Sequence, residues 1–387
     1  MPVLLRWGMK KVLVGLSGGV DSAIAAYLLK QQGYDVTCAF MRNWDSLTND
    51  DINGNPDLAN PVCSQEVDWA DAESVAKRLN LPLLRVDFIQ EYWNDVFTTF
   101  LKEYEKGRTP NPDILCNRYI KFDSFFDFAN SHGFDTVATG HYAKMGTDTF
   151  SSKSAILKAD DRNKDQSYFL CQVKRPRLDH SLFPLGTIDK PEVRRIAEEL
   201  NLSIAHKKDS TGICFIGERR FREFLSNYLP MKPGKIISVV DGSVLGEHQG
   251  VLYYTIGQRK GLDIGGTGPY FCVGKDIYKN ELYVTDSDHP EWLISDACRV
   301  EQVNVLADFP DELDCMAKFR YRQPDCPVHL SRTSDSTVTL TYPQGIRSVT
   351  PGQEAVFYLG DEMLGGGVIE TVEQNGMDLM QKIREKA

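Results

Sequence analysis

Two cysteines stand in settings that could make a thiol reactive. Cys116 follows the run Pro110-Asn111-Pro112-Asp113, where two prolines stiffen the backbone and Asp113 lies three residues ahead of the thiol. Cys214 lies 98 residues downstream in a glycine-flanked segment preceded by Lys207 and Lys208. The thiolate is the nucleophile, and nearby cations lower a cysteine pKa below about 8.5. The competing reading is a buried core role, which is the commoner fate of a free cysteine. Asp113 could serve as a general base or simply form a turn after proline. The other seven cysteines lack such a setting: Cys38, Cys171, Cys272 and Cys298 sit among apolar neighbours and read as core residues, and Cys63 borders a polar loop.

A second constellation is Ser17-Gly18-Gly19-Val20-Asp21-Ser22, directly after an apolar run and at the start of a helical pattern. Its glycines permit close backbone approach, and loop N–H groups at a helix start form an anion cradle. The lysine of a Walker A loop and the third glycine of a dinucleotide fingerprint are both missing, so neither of those readings applies.

The elements that must position these residues follow from periodicity. Lys11–Leu16, Val36–Phe40, Leu83–Phe88 and Thr136–Thr139 read as buried strands, and they alternate with helical stretches at Ser22–Lys30, Val67–Leu79, Tyr92–Tyr104 and Phe122–Ser131. This alternation predicts an α/β fold: a doubly wound parallel sheet with its ligand site outside the carboxyl ends of the strands. Asn43–Val62, rich in Asn, Asp and Pro, reads as a long exposed, mobile loop. After residue 217 the pattern shifts to a small mixed region, and from residue 281 to short strands separated by Gly and Pro, which predict a β-barrel or sandwich. The expected organisation is a catalytic domain at 1–217, a central domain at 218–280, a β-barrel at 281–378 and a frayed tail at 379–387.

Composition narrows the class. The 387 residues are 42% apolar and 25% charged, which is ordinary for two or three globular domains, and no apolar run approaches the roughly 18 residues of a membrane span. The first eleven residues show no signal or transit peptide pattern, so the expected setting is the cytoplasm, where thiols stay reduced. The net charge of −10 argues at first against a polyanionic partner. By segment, however, residues 1–150 carry 14 basic and 20 acidic side chains, 151–260 carry 19 and 13, and 261–387 carry 11 and 21, so the middle is basic.

The SGGVDS sequence resembles the PP-loop of the ATP pyrophosphatases, which cleave ATP between its α and β phosphates to adenylate an acceptor oxygen. Longer blocks narrow the resemblance: Gly107 to Asn117 with Ile120-Lys121-Phe122, Ala138-Thr-Gly-His-Tyr142, Asn163 to Phe169, Lys207 to Gly217, and Thr255 to Gly261. In this order, over nearly the whole chain, they are similar to the bacterial tRNA-specific 2-thiouridylases (MnmA/TrmU). The resemblance implies an ATP-dependent tRNA-uridine 2-sulfurtransferase acting at wobble position 34. ATP would contact Gly15, Leu16, Ser17, Gly18, Gly19, Val20, Asp21, Ser22, Met41 and Gly140, and Asp21 could help to hold Mg²⁺; no dedicated metal-ligand set is expected. Cys214 would carry a persulfide and Cys116 would act as nucleophile, leaving a disulfide between them, with Asp113 as base or orienting group. Contacts to tRNA would come from Asn111, Pro112, Asp113, His141, Lys164, Asp165, Gln166, Arg320, Tyr321 and Gln353, and the target base would be flipped out of its stack.

The implied partners are the tRNAs for Lys, Glu and Gln and a sulfur-relay protein or cysteine desulfurase, acting on a monomer without a membrane. Alternatives are another AMP-forming PP-loop synthetase, an RNA-binding protein using the nucleotide loop as a switch, or an iron–sulfur site at Asp113, Cys116 and Cys214. The chain departs from the family pattern in its longer Asn43–Val62 loop and its short Gly265–Pro269 segment.

Overall fold

Short β-branched runs buried on both faces make the central sheet of the first part of the chain. In this computed structural model, which describes residues 10–56, 64–209, 212, 216, 219–265 and 268–387, five parallel strands lie in the order β3-β2-β1-β4-β7. They are β1 (Lys11–Gly15), β2 (Asp35–Arg42), β3 (Leu83–Asp87), β4 (Thr136–Ala138) and β7 (Ser181–Leu182). The chain runs outward from β1 to β2 and β3, then returns to β4 on the other side of β1, pairing Val14 with Cys38 and with Ala138. The carboxyl ends of β1 and β4 therefore flank the reversal point where such sheets bind ligands. Helices α1 (Val20–Gln31) and α2 (Ser64–Leu79) cover the sheet, burying Ala23, Ile24, Ala26 and Leu29 of the first and Ala72, Val75 and Ala76 of the second. A hairpin of β5 (Ala143–Thr147) and β6 (Ser154–Lys158) follows β4.

The second half is β-rich, as expected. A small mixed sheet, ordered β10-β11-β8-β9, joins β8 (Gly234–Ser238), β9 (Val244–His248), β10 (Phe271–Asp276) and β11 (Glu281–Thr285), with β8 and β11 parallel and the outer pairs antiparallel. Six antiparallel strands then close on themselves: β12 (Ile294–Val305), β13 (Glu312–Lys318), β14 (Cys326–Ser334), β15 (Thr337–Arg347), β16 (Glu354–Leu359) and β17 (Glu362–Gln374). Pairing runs β12-β15-β14-β13-β16-β17 and returns from β17 to β12. Register shifts in β12 at Ser295/Ala297, Arg299/Val300 and Glu301/Asn304 supply the bends that closure requires. The interior packs Val300, Phe319, Leu340, Tyr342 and Phe357.

By contacts the chain falls into two compact units, one of residues 1–45, 56–93 and 115–218, the other of 46–55, 94–114 and 219–387. The second takes in two segments that a cut at residue 217 assigns to the first. Among the described residues no helix is long and apolar enough to cross a membrane.

Two expectations need correction. Residues 379–387 are not a frayed tail: Leu379–Lys386 is a helix, its start capped by Asp378, which accepts from the Gln381 N–H, and Leu379 and Ile383 one turn apart are buried in the barrel core. The described part of the Asn43–Val62 loop is not simply exposed, since Asn43, Trp44, Asn49, Asp51 and Asn55 are buried. Its Asp and Asn side chains satisfy polar groups that the turns leave over: Asn55 donates to the Asp51 carbonyl, Tyr228 donates to the Asn49 carbonyl, and Asp51 forms an ion pair with Arg219 at 3.0 Å. Residues 57–62 lie outside the described residues.

Candidate active site

The glycine-rich loop occupies the crease between the ends of β1 and β4. Gly18 has φ +73°, and a Cβ there would fall 2.3 Å from the Asp68 carbonyl oxygen, so glycine is required for both conformation and space. Ser22 knits the loop: its Oγ accepts from the Ser17 N–H at 3.1 Å and donates to the Gly19 carbonyl at 3.0 Å. The Ser17 amide is thus turned inward, while the first amides of α1 have no carbonyl four residues earlier and remain for an anion. Gly140, two residues past β4, would bring a Cβ within 2.7 Å of the Ser22 nitrogen. Gly15 meets the Met41 methyl at 3.0 Å by the same measure, which places Met41 at the carboxyl end of β2 beside the loop. These glycines let the loop pack directly against the backbone of Asp68 and Ser22 and against Met41, which brings the sequence-predicted nucleotide contacts Gly15 to Ser22, Met41 and Gly140 together.

Asp21 would repel a phosphate at the start of α1, but its charge is offset. The Lys190 ammonium lies 2.7 and 2.8 Å from its two carboxylate oxygens, and the Tyr142 hydroxyl donates to one of them at 2.8 Å. Lys190 also reaches Asp209 at 2.8 Å. Burial by itself would raise the Asp209 pKa, yet hydrogen bonds from Lys164 and Lys190 outweigh it and bring the carboxyl down to about 2. On the other side of the loop, Lys207 contacts the Gly18 carbonyl at 3.2 Å and the carboxylates of Asp68 and Asp71 at 2.7 and 2.6 Å. Burial opposes its charge, and the two carboxylates overcome that and raise its pKa. Sequence reading assigned Lys207 to the neighbourhood of Cys214 and missed Lys190, Tyr142, Asp68, Asp71 and Asp209. Tyr142 and Asp209 lie within the motif blocks, and Lys190 has the signal of the first residue of a helix capped by Asp189.

Cys116 ends the short helix Pro112–Cys116, one turn after Asp113, and is fully buried. A π-type stretch, Asn117–Ser124, continues it, with Asn117 donating to the Phe169 carbonyl and Arg118 to Gln172. At its start the Asn111 side chain accepts from the Asp113 N–H at 3.1 Å. The thiols of Cys38, Cys272, Cys298 and Cys315 are pushed up to about 12 by burial, which makes them inert and agrees with the core roles expected for the first three. Cys171 is also buried. Cys214 and Cys63 lie outside the described residues, and with Cys214 goes any geometry of a Cys116–Cys214 pair. Among the described residues no group of three or more His, Cys, Asp or Glu is placed to hold a metal.

The residues expected at the RNA are engaged internally. His141 is buried, bonded to Thr139 Oγ1 at 2.7 Å, and burial together with the nearby Lys121 charge holds its pKa well below 6.5. Asp165 is buried, accepting from the Ala159 and Ser167 amides and the Ser167 hydroxyl. The Gln166 side chain accepts from the Tyr142 amide. These bonds brace the segments after β4 and β6, Asp165 and Gln166 by satisfying backbone amides and His141 through the Thr139 hydroxyl. Lys164 bonds to Asp209. In the barrel unit Arg320 donates to the Ile256 carbonyl and Thr350, the Arg322 guanidinium lies over the Tyr321 ring, and Gln353 donates to the Thr109 carbonyl at 2.7 Å.

A parallel sheet with an SGGVDS loop at its reversal point defines an ATP-binding domain of the PP-loop type. Residues 10–218 match the family model described as the tRNA methyl transferase HUP domain, 222–286 the PRC-barrel domain of the same description, and 295–369 the aminomethyltransferase beta-barrel domain. The chain is 52% identical over 372 residues to the tRNA-specific 2-thiouridylase MnmA of Mesoplasma florum, covering 94% of this chain and all of that one. The enzymes of the same name from Mycoplasma capricolum and Enterococcus faecalis are each 50% identical, over 94% and 95% of this chain and 99% and 97% of theirs. The chain belongs to the tRNA-specific 2-thiouridylase family.

Proposed function

We propose that this protein is the ATP-dependent tRNA-uridine 2-sulfurtransferase that thiolates C2 of the wobble uridine at position 34 in the tRNAs for Lys, Glu and Gln. The observation that carries this reading is the SGGVDS loop at the reversal point of the parallel sheet, leading into the uncapped start of α1, in a chain half identical to 2-thiouridylases over nearly its whole length. The loop amides at the start of α1 would hold the phosphates of ATP, and Lys190 would neutralise Asp21 or release it to Mg²⁺. Bound ATP supplies the adenylyl group that turns the uracil O2 into a leaving group.

Asn111 to Asp113 would surround the flipped base, with Asp113 orienting it or taking its proton. The terminal sulfur of a Cys214 persulfide would attack C2 and expel AMP. Cys116 as thiolate would then attack the Cys214 sulfur; the disulfide forms, and the electrons of the broken S–S bond stay on the base as the C2 thione. The central segment 218–280 would bind tRNA, a sulfur-relay protein or cysteine desulfurase would reload Cys214, and the protein would act as a cytoplasmic monomer.

The matched family descriptions speak of methyl transfer, so the test should separate the two chemistries. The protein is incubated with unmodified tRNA, ATP, Mg²⁺ and a persulfide donor, and the nucleosides are resolved by mass spectrometry. Replacement of oxygen by sulfur in uridine, dependent on ATP, is expected; a methylated nucleoside, or no ATP dependence, sinks the proposal.

A further inference from the structure

We infer that the C-terminal barrel clamps the substrate loop Gly107–Asp113, and that Arg108, Glu370 and Gln353 are positioning residues for the transfer. The inference rests on the reading above that Asn111–Asp113 surrounds the target base. Both backbone polar groups of Thr109 are held by one corner of the barrel, between β15 and β16: its N–H donates to the Pro351 carbonyl at 3.0 Å and its carbonyl accepts from Gln353 at 2.7 Å. The Arg108 guanidinium is shared between Glu370 on β17 and Glu103 at the end of the preceding helix. Gly352 has φ +91°, and a Cβ there would fall 2.7 Å from the Arg108 Cβ and 2.8 Å from the Thr109 nitrogen, so the corner touches the loop backbone with no room to spare. Arg320 braces the same corner through Thr350.

A loop of this kind, with a glycine at φ +78° before it and two prolines within it, would otherwise have to find its conformation unaided. The clamp fixes it two residues before Asn111, at the entrance to the helix that begins at Pro112 and carries Cys116. A misplacement of about 1 Å near a reacting centre costs on the order of 100-fold in rate. Gln353 therefore acts on the chemistry through Thr109, to which it commits one of its two amide N–H groups.

The test measures single-turnover 2-thiouridine formation at saturating tRNA, the tRNA Kd, and hydrogen–deuterium exchange of residues 106–116, in Gln353→Ala, Arg108→Ala, Glu370→Ala and the last two combined. The expected result is a rate loss of about 10- to 100-fold with Kd within about twofold, faster exchange in 106–116, and a double variant no slower than the worse single one. Arg108→Lys, which still meets a carboxylate, should recover part of the rate, and Gly352→Ala, which alters no polar group, should reproduce the loss. A weaker Kd with unchanged rate and exchange would make Gln353 an RNA contact and overturn the clamp, as would variants that change nothing. If the wild-type protein forms no 2-thiouridine, the functional reading fails while the exchange measurement still decides the clamp.

Discussion

The sheet unit and the barrel unit use polar residues in opposite ways. At the end of β1 the shape follows from what is missing: Gly18 and Gly140 carry no Cβ, so the loop packs against the backbone of Asp68 and Ser22, and the charged groups nearby, Lys190 and Lys207, hold Asp21 and the Gly18 carbonyl in place. In the barrel unit Arg320 and Gln353 bond inward, and their contribution to any site is the shape they impose on Thr350 and Thr109. One region presents backbone to a ligand, and the other holds backbone still for its neighbour. A glycine motif states its purpose in the residue type, whereas the direction of a long polar side chain is set only by tertiary neighbours.

The comparison can be broken at four points. Cys116→Ser should abolish thiolation, a loss of at least about 1,000-fold in a single-turnover assay, with ATP binding retained; a mild effect would remove the thiol from the mechanism. Gly140→Val should place side-chain atoms against Ser22 and weaken nucleotide binding on the order of 100-fold by calorimetry, and unaltered affinity would mean that the crease is not the ATP site. Lys190→Met leaves Asp21 without its cation and should lower the adenylation rate about tenfold, with Asp21→Asn in the same background restoring nucleotide affinity in part.

The smallest effect is on pH dependence, and it has opposite sign in the two units. Asp209 and His141 have folded pKa values below their ordinary ones. Asp209 contributes stability above its ordinary pKa of 3.8 that is lost as pH falls toward about 2, and His141, kept neutral in the fold, costs stability as pH falls below 6.5. Glu354 in the barrel, fully buried, has its carboxyl raised well above 4.5, so its contribution is complete below 4.5 and declines as pH rises. Denaturant melts should show Glu354→Gln flattening the upper limb and Asp209→Asn the lower one; the same limb moving in both variants would contradict the assignment.

Much of the architecture is readable from residue order. The four expected strands of the parallel sheet lie where their apolar runs fall, and the change to a β pattern marks the barrel region, although its strands run to 12 and 13 residues where short ones were expected. The fifth strand, Ser181–Leu182, has only two residues and no pattern to find. The terminal helix was hidden by its charge: Leu379 and Ile383 are an i, i+4 pair in an otherwise polar segment. The glycine loop was legible, since Gly18 is required by its own conformation and space. Lys190, Tyr142 and Asp209 were not, because they lie 121 to 188 positions from Asp21 and only the fold brings them together. The internal bonds of His141, Asp165 and Gln166 were not legible either, because a polar residue in a motif reads the same whether it faces a ligand or a turn.

The bond between Arg108 and Glu370 spans 262 residues of chain. At about 5 to 20 residues per second, synthesis of that interval takes roughly 13 to 52 s. For most of that time, until residues 351–353 are made, the loop at Thr109 has no barrel corner to hold it, although β1, β2, β3 and the glycine loop already exist on the ribosome. The last strands are therefore a check on completeness: a chain truncated between residues 219 and 350 would keep its glycine loop and its Cys116, yet lack the bracing of the segment proposed to meet the base, and one truncated just before β17 would lack the Glu370 partner of Arg108.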